Sequence, residues 1–187
     1  MKTVGLVGPI ASGKGVVAKI LEKRGFKIFS LSDIVREEAK KRNFPQTRGA
    51  LQDVGDLLRR KGGKGILAER TLAKALKSKE EKVVIDSIRN PAEVKYLKKN
   101  LPIKIIAVVA SPRKRFTYMK KRNYPYDPKT WKEFVKVEKR DRGVGQSEYG
   151  QQVSQCIELA DYVIENNKTL KDLEKETERV LKKIGIS

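Results

Sequence analysis

The eight residues Gly8-Pro9-Ile10-Ala11-Ser12-Gly13-Lys14-Gly15 fit the spacing G-x-x-x-x-G-K and follow directly on a short apolar run, Thr3-Val4-Gly5-Leu6-Val7. A glycine-rich turn that leaves a strand and opens a helix points successive main-chain N–H groups into one hollow, and the helix adds the positive end of its dipole. Such a hollow takes phosphate oxygens. Lys14 stands where an ammonium reaches the outer phosphates of a nucleoside triphosphate and offsets charge as one of them moves. Val16, Val17, Ile20 and Leu21 recur at helical spacing, so a helix is expected from about Gly13 onward. The stretch from Gly8 to Val16 is therefore read as a triphosphate site. An ordinary glycine-rich turn is the plainer alternative, but it gives Lys14 no task. Gly5 and Gly8 do not make a G-x-G-x-x-G fingerprint, so a dinucleotide site is not supported.

Gly15 occupies the position where a serine or threonine hydroxyl commonly meets Mg²⁺. The metal is then expected to be held by phosphates, by water and by an acid from another strand. Asp86 ends the apolar run Lys82-Val83-Val84-Ile85, on the side of a parallel sheet where ligands collect, and is the candidate, acting through water. Its other reading is a cap for the following turn. The chain has no histidine and Cys156 is its only cysteine, which excludes an intramolecular disulfide and argues against a zinc site or a histidine-based dyad.

These residues need a scaffold, and the pattern along the 187 residues supplies one. Short β-branched runs alternate with amphipathic segments, as in βαβ units around a parallel sheet. The runs are Thr3 to Val7, Phe26 to Leu31, Lys82 to Asp86, Ile103 to Ala110 and Asp161 to Ile164. The expected fold is a three-layer α/β domain over 1–187, with a doubly wound, five-stranded parallel sheet. A helix carrying Leu170, Leu173, Thr177, Val180, Leu181 and Ile184 on one face closes it, opened by the Thr169 and Asp172 pair of a capping box. The glycine-rich stretch from Arg42 to Gly65 carries a weak helical pattern from Leu51 to Leu58 and reads as a segment able to move. Asn123-Tyr124-Pro125-Tyr126-Asp127-Pro128 reads as a lid loop, with Pro128 in the first turn of a new helix.

The net charge of +20 draws polyanions to the surface. From Arg113 to Arg142 there are twelve basic residues against four acids, but aromatics do not alternate with them as a base-stacking platform requires, so nucleic acid is not the favoured partner. No run approaches the roughly 20 apolar residues of a membrane span. A cytoplasmic protein is expected, and no pattern fixes an oligomeric state.

The Gly-Lys-Gly loop resembles that of adenylate kinases and related nucleoside monophosphate kinases, which have a P-loop fold with helical acceptor-binding and lid segments. Ser32-Asp33-Ile34-Val35-Arg36 resembles their T-G-D-x-L-R element, and Val84-Ile85-Asp86-Ser87-Ile88-Arg89 resembles their D-G-F-P-R segment. The resemblance implies that Arg36 and Arg89 clamp an acceptor's phosphate. A planar guanidinium also does this well on physical grounds, since it meets a phosphate with two parallel bonds; a surface ion pair is the alternative for each. Asp33 either orients the acceptor and takes its proton or caps the helix it opens. Ala160-Asp161-Tyr162-Val163-Ile164-Glu165-Asn166-Asn167 resembles the ending of dephospho-CoA kinases, and Met119-Lys120-Lys121-Arg122 resembles part of their lid helix, leaving Arg122 as the matching catalytic arginine, with Arg140 or Arg142 as a second cation. Tyr149-Gly150-Gln151-Gln152-Val153 looks more like the kinase-like domain of deoxycytidylate deaminase-related proteins and like archaeal kinase-like proteins. Deaminase chemistry itself is excluded, since the chain has neither histidine nor a cysteine pair. The resemblance implies an ATP- and Mg²⁺-dependent kinase acting on a small nucleotide, most naturally a nucleoside or deoxynucleoside monophosphate, with an acceptor segment at about 33–80 and a lid at about 113–145. The alternatives are a dephospho-CoA kinase and a nucleic-acid-associated ATPase or nucleotide sensor.

Overall fold

The computed structural model describes residues 1–125 and 127–186. Each of the five apolar runs forms a strand: β1 (Lys2–Val7), β2 (Lys27–Ser30), β3 (Lys82–Ile88), β4 (Ile103–Val109) and β5 (Tyr162–Glu165). All neighbours pair in parallel in the order β2-β3-β1-β4-β5. The strand that leads into the glycine-rich loop is thus central. The helices are α1 (Lys14–Glu22), α2 (Leu31–Lys41), α3 (Arg48–Gly62), α4 (Ile66–Lys77), α5 (Pro91–Asn100), α6 (Pro112–Arg122), α7 (Trp131–Arg142), α8 (Val153–Glu158) and α9 (Leu170–Lys183).

Because strand side chains alternate between faces, successive residues of each central strand enter different cores. Val4, Leu6, Val84, Ile106, Val108 and Ile164 pack with Val17 and Leu21 of α1 and with Leu173, Val180 and Leu181 of α9. Val7, Val83, Ile85, Ile105 and Ala107 pack on the other side with apolar residues of α2, α3, α4 and α5. That two-sided cover makes three layers. A third, small cluster joins Ile10 of the loop to Met119 and Phe134, with Phe116 and Trp131 beside them. It seats the α6–α7 pair over the glycine-rich loop.

Local signals account for several boundaries. In α9 the Thr169 side chain accepts from Asp172 N–H and Asp172 accepts from Thr169 N–H, the reciprocal cap expected from the sequence. Three expectations are corrected. The stretch around Leu51 to Leu58 is part of the full helix α3, anchored by buried Gln52, Val54, Leu58 and Arg59. Helix α7 starts at Trp131, because Thr130 and Glu133 form a capping box there, so Pro128 lies outside the helix. Helix α2 starts at Leu31 behind Ser30, which places Asp33 inside the first turn and removes its capping role. Tyr126, assigned above to the lid loop, lies outside the described residues. Among the described residues no helix is long and apolar enough to cross a membrane.

Candidate functional site

The loop between β1 and α1 is held by close main-chain packing at two glycines. At Gly8 (φ 142°) a Cβ would lie 2.2 Å from the Val108 carbonyl oxygen, and at Gly13 (φ 107°) it would lie 2.5 Å from Asn166 Nδ2. Asn166 Nδ2 itself donates to Ser12 O at 3.0 Å, pinning the loop to the end of β5. Ala11 also has a left-handed backbone, φ 57°, which costs an alanine about 1 kcal/mol and marks local strain. No side chain caps the start of α1, so its first amides stay available to an anion. Val16 N–H is used within the turn by Gly13 O at 2.9 Å. Gly15 has open space where a Cβ would be.

Lys14 is folded back on this loop: its ammonium donates to Gly8 O at 2.5 Å and to Pro9 O at 2.9 Å. Burial lowers its pKa to about 8, with Asp86 and Asp141 pulling it up and Arg89 and Arg115 pushing it down. Lys14, Asp86 and Arg89 are therefore close enough to feel one another's charge. Asp141 and Arg115, which sequence reasoning missed, complete the cluster.

Asp86 lies across from Ser30 in the sheet. Beside it the register between β1 and β3 shifts, and Ser87 adopts φ 63°; such irregularities re-aim side chains at sheet ends. Asp86 Oδ2 accepts from Ser87 Oγ at 3.2 Å, whereas Oδ1 is buried without a partner. A hard, unpartnered carboxylate oxygen suits a hydrated Mg²⁺. Among the described residues no three acids, histidines or cysteines gather as a metal-holding group.

A cavity of about 220 Å³ opens beside α2 and α3, walled by Leu31, Val35, Leu51 and Leu67 and by Arg36, Arg48, Arg89, Gln46, Gln52 and Gln151. Arg36 and Arg89 thus share one cavity wall. Arg36 donates to Ser32 Oγ at 2.8 Å and to Asp33 Oδ1 at 3.2 Å, with half its side chain exposed. Arg89 donates to Asp141 Oδ1 at 2.5 Å. Asp33 does not line the cavity. Gln52 Nε2 donates to Gln151 Oε1 at 2.9 Å, and both residues line the cavity.

Arg122 points to Asp127, donating through Nε at 2.6 Å and Nη2 at 2.9 Å, while Arg48 Nη2 reaches the same carboxylate at 2.8 Å. Burial opposes ionisation of Asp127, but the two guanidiniums prevail and hold its carboxyl below the usual range. Arg140 bonds Asp53 at 2.6 Å and Asp56 at 3.1 Å, and Arg142 lies 3.7 Å from Glu138. The α6–α7 pair is in this way bound to α3 at two places. Arg115, buried, donates to Ala110 O and Ile10 O and pairs with Glu138. Its one visible sequence signal is its place in the basic run from Arg113 to Arg142.

Comparison with known proteins agrees with this construction. The family described as an AAA domain matches residues 7–134. A UPF0200 protein of Pyrococcus horikoshii is 38% identical over 184 residues, covering 96% of this chain and 95% of that protein. A UPF0200 protein of Hyperthermus butylicus is 35% identical over 179 residues, covering 96% and 92%. Shikimate kinase from Bacteroides thetaiotaomicron superposes with a TM-score of 0.60 over 98% of both chains at 12% identity, a likeness of fold. With a parallel sheet of P-loop kinase type and a G-x-x-x-x-G-K loop at its centre, the chain belongs to the UPF0200 family.

Proposed function

We propose that this protein is an ATP-dependent phosphotransferase whose acceptor is a nucleotide, a nucleoside or deoxynucleoside monophosphate. One observation carries the reading. The buried side-chain polar atoms without a hydrogen-bond partner among the described residues are Ser12 Oγ, Gln46 Nε2, Arg48 Nε and Asp86 Oδ1. Ser12 lies in the glycine-rich loop, Asp86 is close enough to Lys14 of that loop to shift its pKa, and Gln46 and Arg48 line the cavity that Arg89 links to the loop through Asp141 and Ile10. Buried polar groups are nearly always satisfied in native proteins, so orphans gathered at one place are what a polar ligand completes.

In this reading the loop from Gly8 to Gly15 binds the triphosphate through main-chain amides, and Lys14 turns from its own loop carbonyls to the outer phosphates. Asp86 would hold a hydrated Mg²⁺, which when bound would supply neutralisation of phosphate charge. Arg36 and Arg89 bring the acceptor phosphate into line. An acceptor oxygen forms a bond to the γ-phosphorus as the bond to the ADP oxygen breaks, and Lys14 offsets the charge that moves. The residues thus act by alignment and charge stabilisation. The α6–α7 pair, about 113–145, serves as the lid, and 33–80 as the acceptor segment.

A panel of nucleoside monophosphates, deoxynucleoside monophosphates and dephospho-CoA, assayed with Mg·ATP for ADP release and product, tests the proposal. Diphosphate product supports it, product from dephospho-CoA alone replaces the acceptor, and no product with any of them refutes it. Arg36→Ala is expected to raise the acceptor KM by about 10- to 100-fold, the loss of a charge-assisted contact, with the KM for ATP little changed. Equal kinetics for mutant and parent would remove Arg36 from the clamp.

Nucleotide affinity should also depend on pH through Lys14. Its pKa is about 8 in the empty site, and bound phosphates raise it. Below about pH 7 the ammonium is protonated with or without nucleotide, so affinity is flat. Above about pH 8 binding must take up a proton, and affinity falls by up to about tenfold per pH unit until the pKa of the bound state is passed. Calorimetry with Mg·ADP from pH 6.5 to 9.5 reads this directly. Lys14→Arg, which stays charged throughout, should lose the dependence.

A further inference from the structure

Asp141 sits where local rules disfavour a carboxylate. It is in the last turn of α7, at the negative end of the helix dipole, and it is 1% exposed. Burial of a charge is costly unless specific partners repay it. Asp141 has two. One oxygen accepts from Arg89 Nη1 at 2.5 Å, and the other accepts from the main-chain N–H of Ile10, in the glycine-rich loop, at 3.1 Å. A residue that breaks local preferences to make two long-range contacts at a candidate site has a reason beyond its own helix.

Those contacts tie together groups from three elements. The main chain of Arg89 is already fixed, since its N–H donates to Glu93 Oε2 at 2.8 Å. Among the described residues, the bond to Asp141 is the one hydrogen bond made by its guanidinium. The rest of the fork remains for the cavity that Arg89 lines, and a guanidinium has five N–H donors to share. Ile10 is clamped too: Asp141 takes its N–H, and Arg115 Nη1 donates to its carbonyl at 3.2 Å.

We propose that Asp141 is a positioning residue: one carboxylate aims the free edge of Arg89 at the acceptor phosphate and sets that edge relative to the donor's phosphate loop through Ile10. The inference rests on the reading of Arg89 as an acceptor clamp. Its value to phosphoryl transfer is geometric, because two anions must meet in line at a fixed separation.

Inorganic phosphate, titrated calorimetrically into protein saturated with Mg·ADP, isolates the clamp from the identity of the acceptor. Asp141→Asn removes a negative charge, so electrostatics alone predicts tighter phosphate binding. Positioning predicts the opposite, a weakening of about tenfold, the size of one charge-assisted contact. Arg89→Gln should weaken phosphate similarly, and the double variant should be no weaker than Arg89→Gln alone, because Asp141 acts through Arg89. If Asp141→Asn does not fold, Asp141→Glu makes the same comparison; it keeps the charge, shifts the carboxylate by one methylene and should also weaken phosphate. Unchanged or tighter binding in the folded variant, additive losses in the double variant, or no phosphate affinity in the parent protein would overturn the proposal. Failure of the acceptor panel with this pattern intact would count against the nucleotide acceptor alone.

Discussion

Lys14→Ala is expected to lower turnover by about 100- to 1,000-fold, the usual cost of removing one group that stabilises charge in a transition state, while the protein stays folded. The ammonium is held among main-chain carbonyls at the mouth of the loop and its pKa is lowered mainly by burial. The folded state therefore gains little from it when no nucleotide is bound. Truncation to alanine removes a charge that burial penalises, and takes the ammonium from the Gly8 and Pro9 carbonyls. Steady-state ADP release and a thermal melt on the same sample check both halves. Parental turnover would refute the role given to Lys14, and loss of the folded signal would show that the side chain is part of the scaffold.

The largest effect on stability is expected at Glu93, which is fully buried. One of its oxygens accepts from Arg59 Nε at 2.8 Å, and the other accepts from the main-chain N–H groups of Arg89 and Asn90 at 2.8 and 2.9 Å. Glu93→Ala leaves a buried guanidinium without its closest counterion and two amides without an acceptor. Breaking a buried pair on one side costs about 3–5 kcal/mol. For a chain of this size each kcal/mol moves the melting temperature by about 2–4 °C, so a fall of about 10 °C is expected. Arg59 keeps weaker contacts to Asp56 at 3.4 Å and Tyr149 O at 3.3 Å, which limits the loss. Since Glu93 also fixes the main chain of Arg89, acceptor use should fall with stability. A melt within about 2 °C of the parent would show that these groups find other partners.

The sheet was legible in the sequence because its central strands β1, β3 and β4 are short, β-branched and largely buried runs, and the part-exposed edge strands β2 and β5 still carry short apolar runs. The loop was legible because its spacing, its lysine and its preceding strand all express one local geometry. What escaped were the residues whose place depends on partners far along the chain. Asp141 and Arg115 lie in a run where twelve basic residues surround four acids, and nothing local separates these two buried residues from the lysines beside them. The Thr130 and Glu133 box was present in the sequence, but Pro128 gave a competing signal two residues earlier, and the reciprocal cap prevailed. Asp33 was drawn toward a capping role by its residue type, whereas the chain enters α2 two residues before it.

The two bridges between α3 and the α6–α7 pair differ in how water reaches them. Asp127 is 3% exposed beneath Arg48 and Arg122, while Asp53, which meets Arg140, is 68% exposed. Dissolved salt weakens an exposed pair far more than a sheltered one. Rising ionic strength is therefore expected to weaken the Arg140–Asp53 contact before the Asp127 bridge, while Asp56, 15% exposed, keeps Arg140 tied to α3.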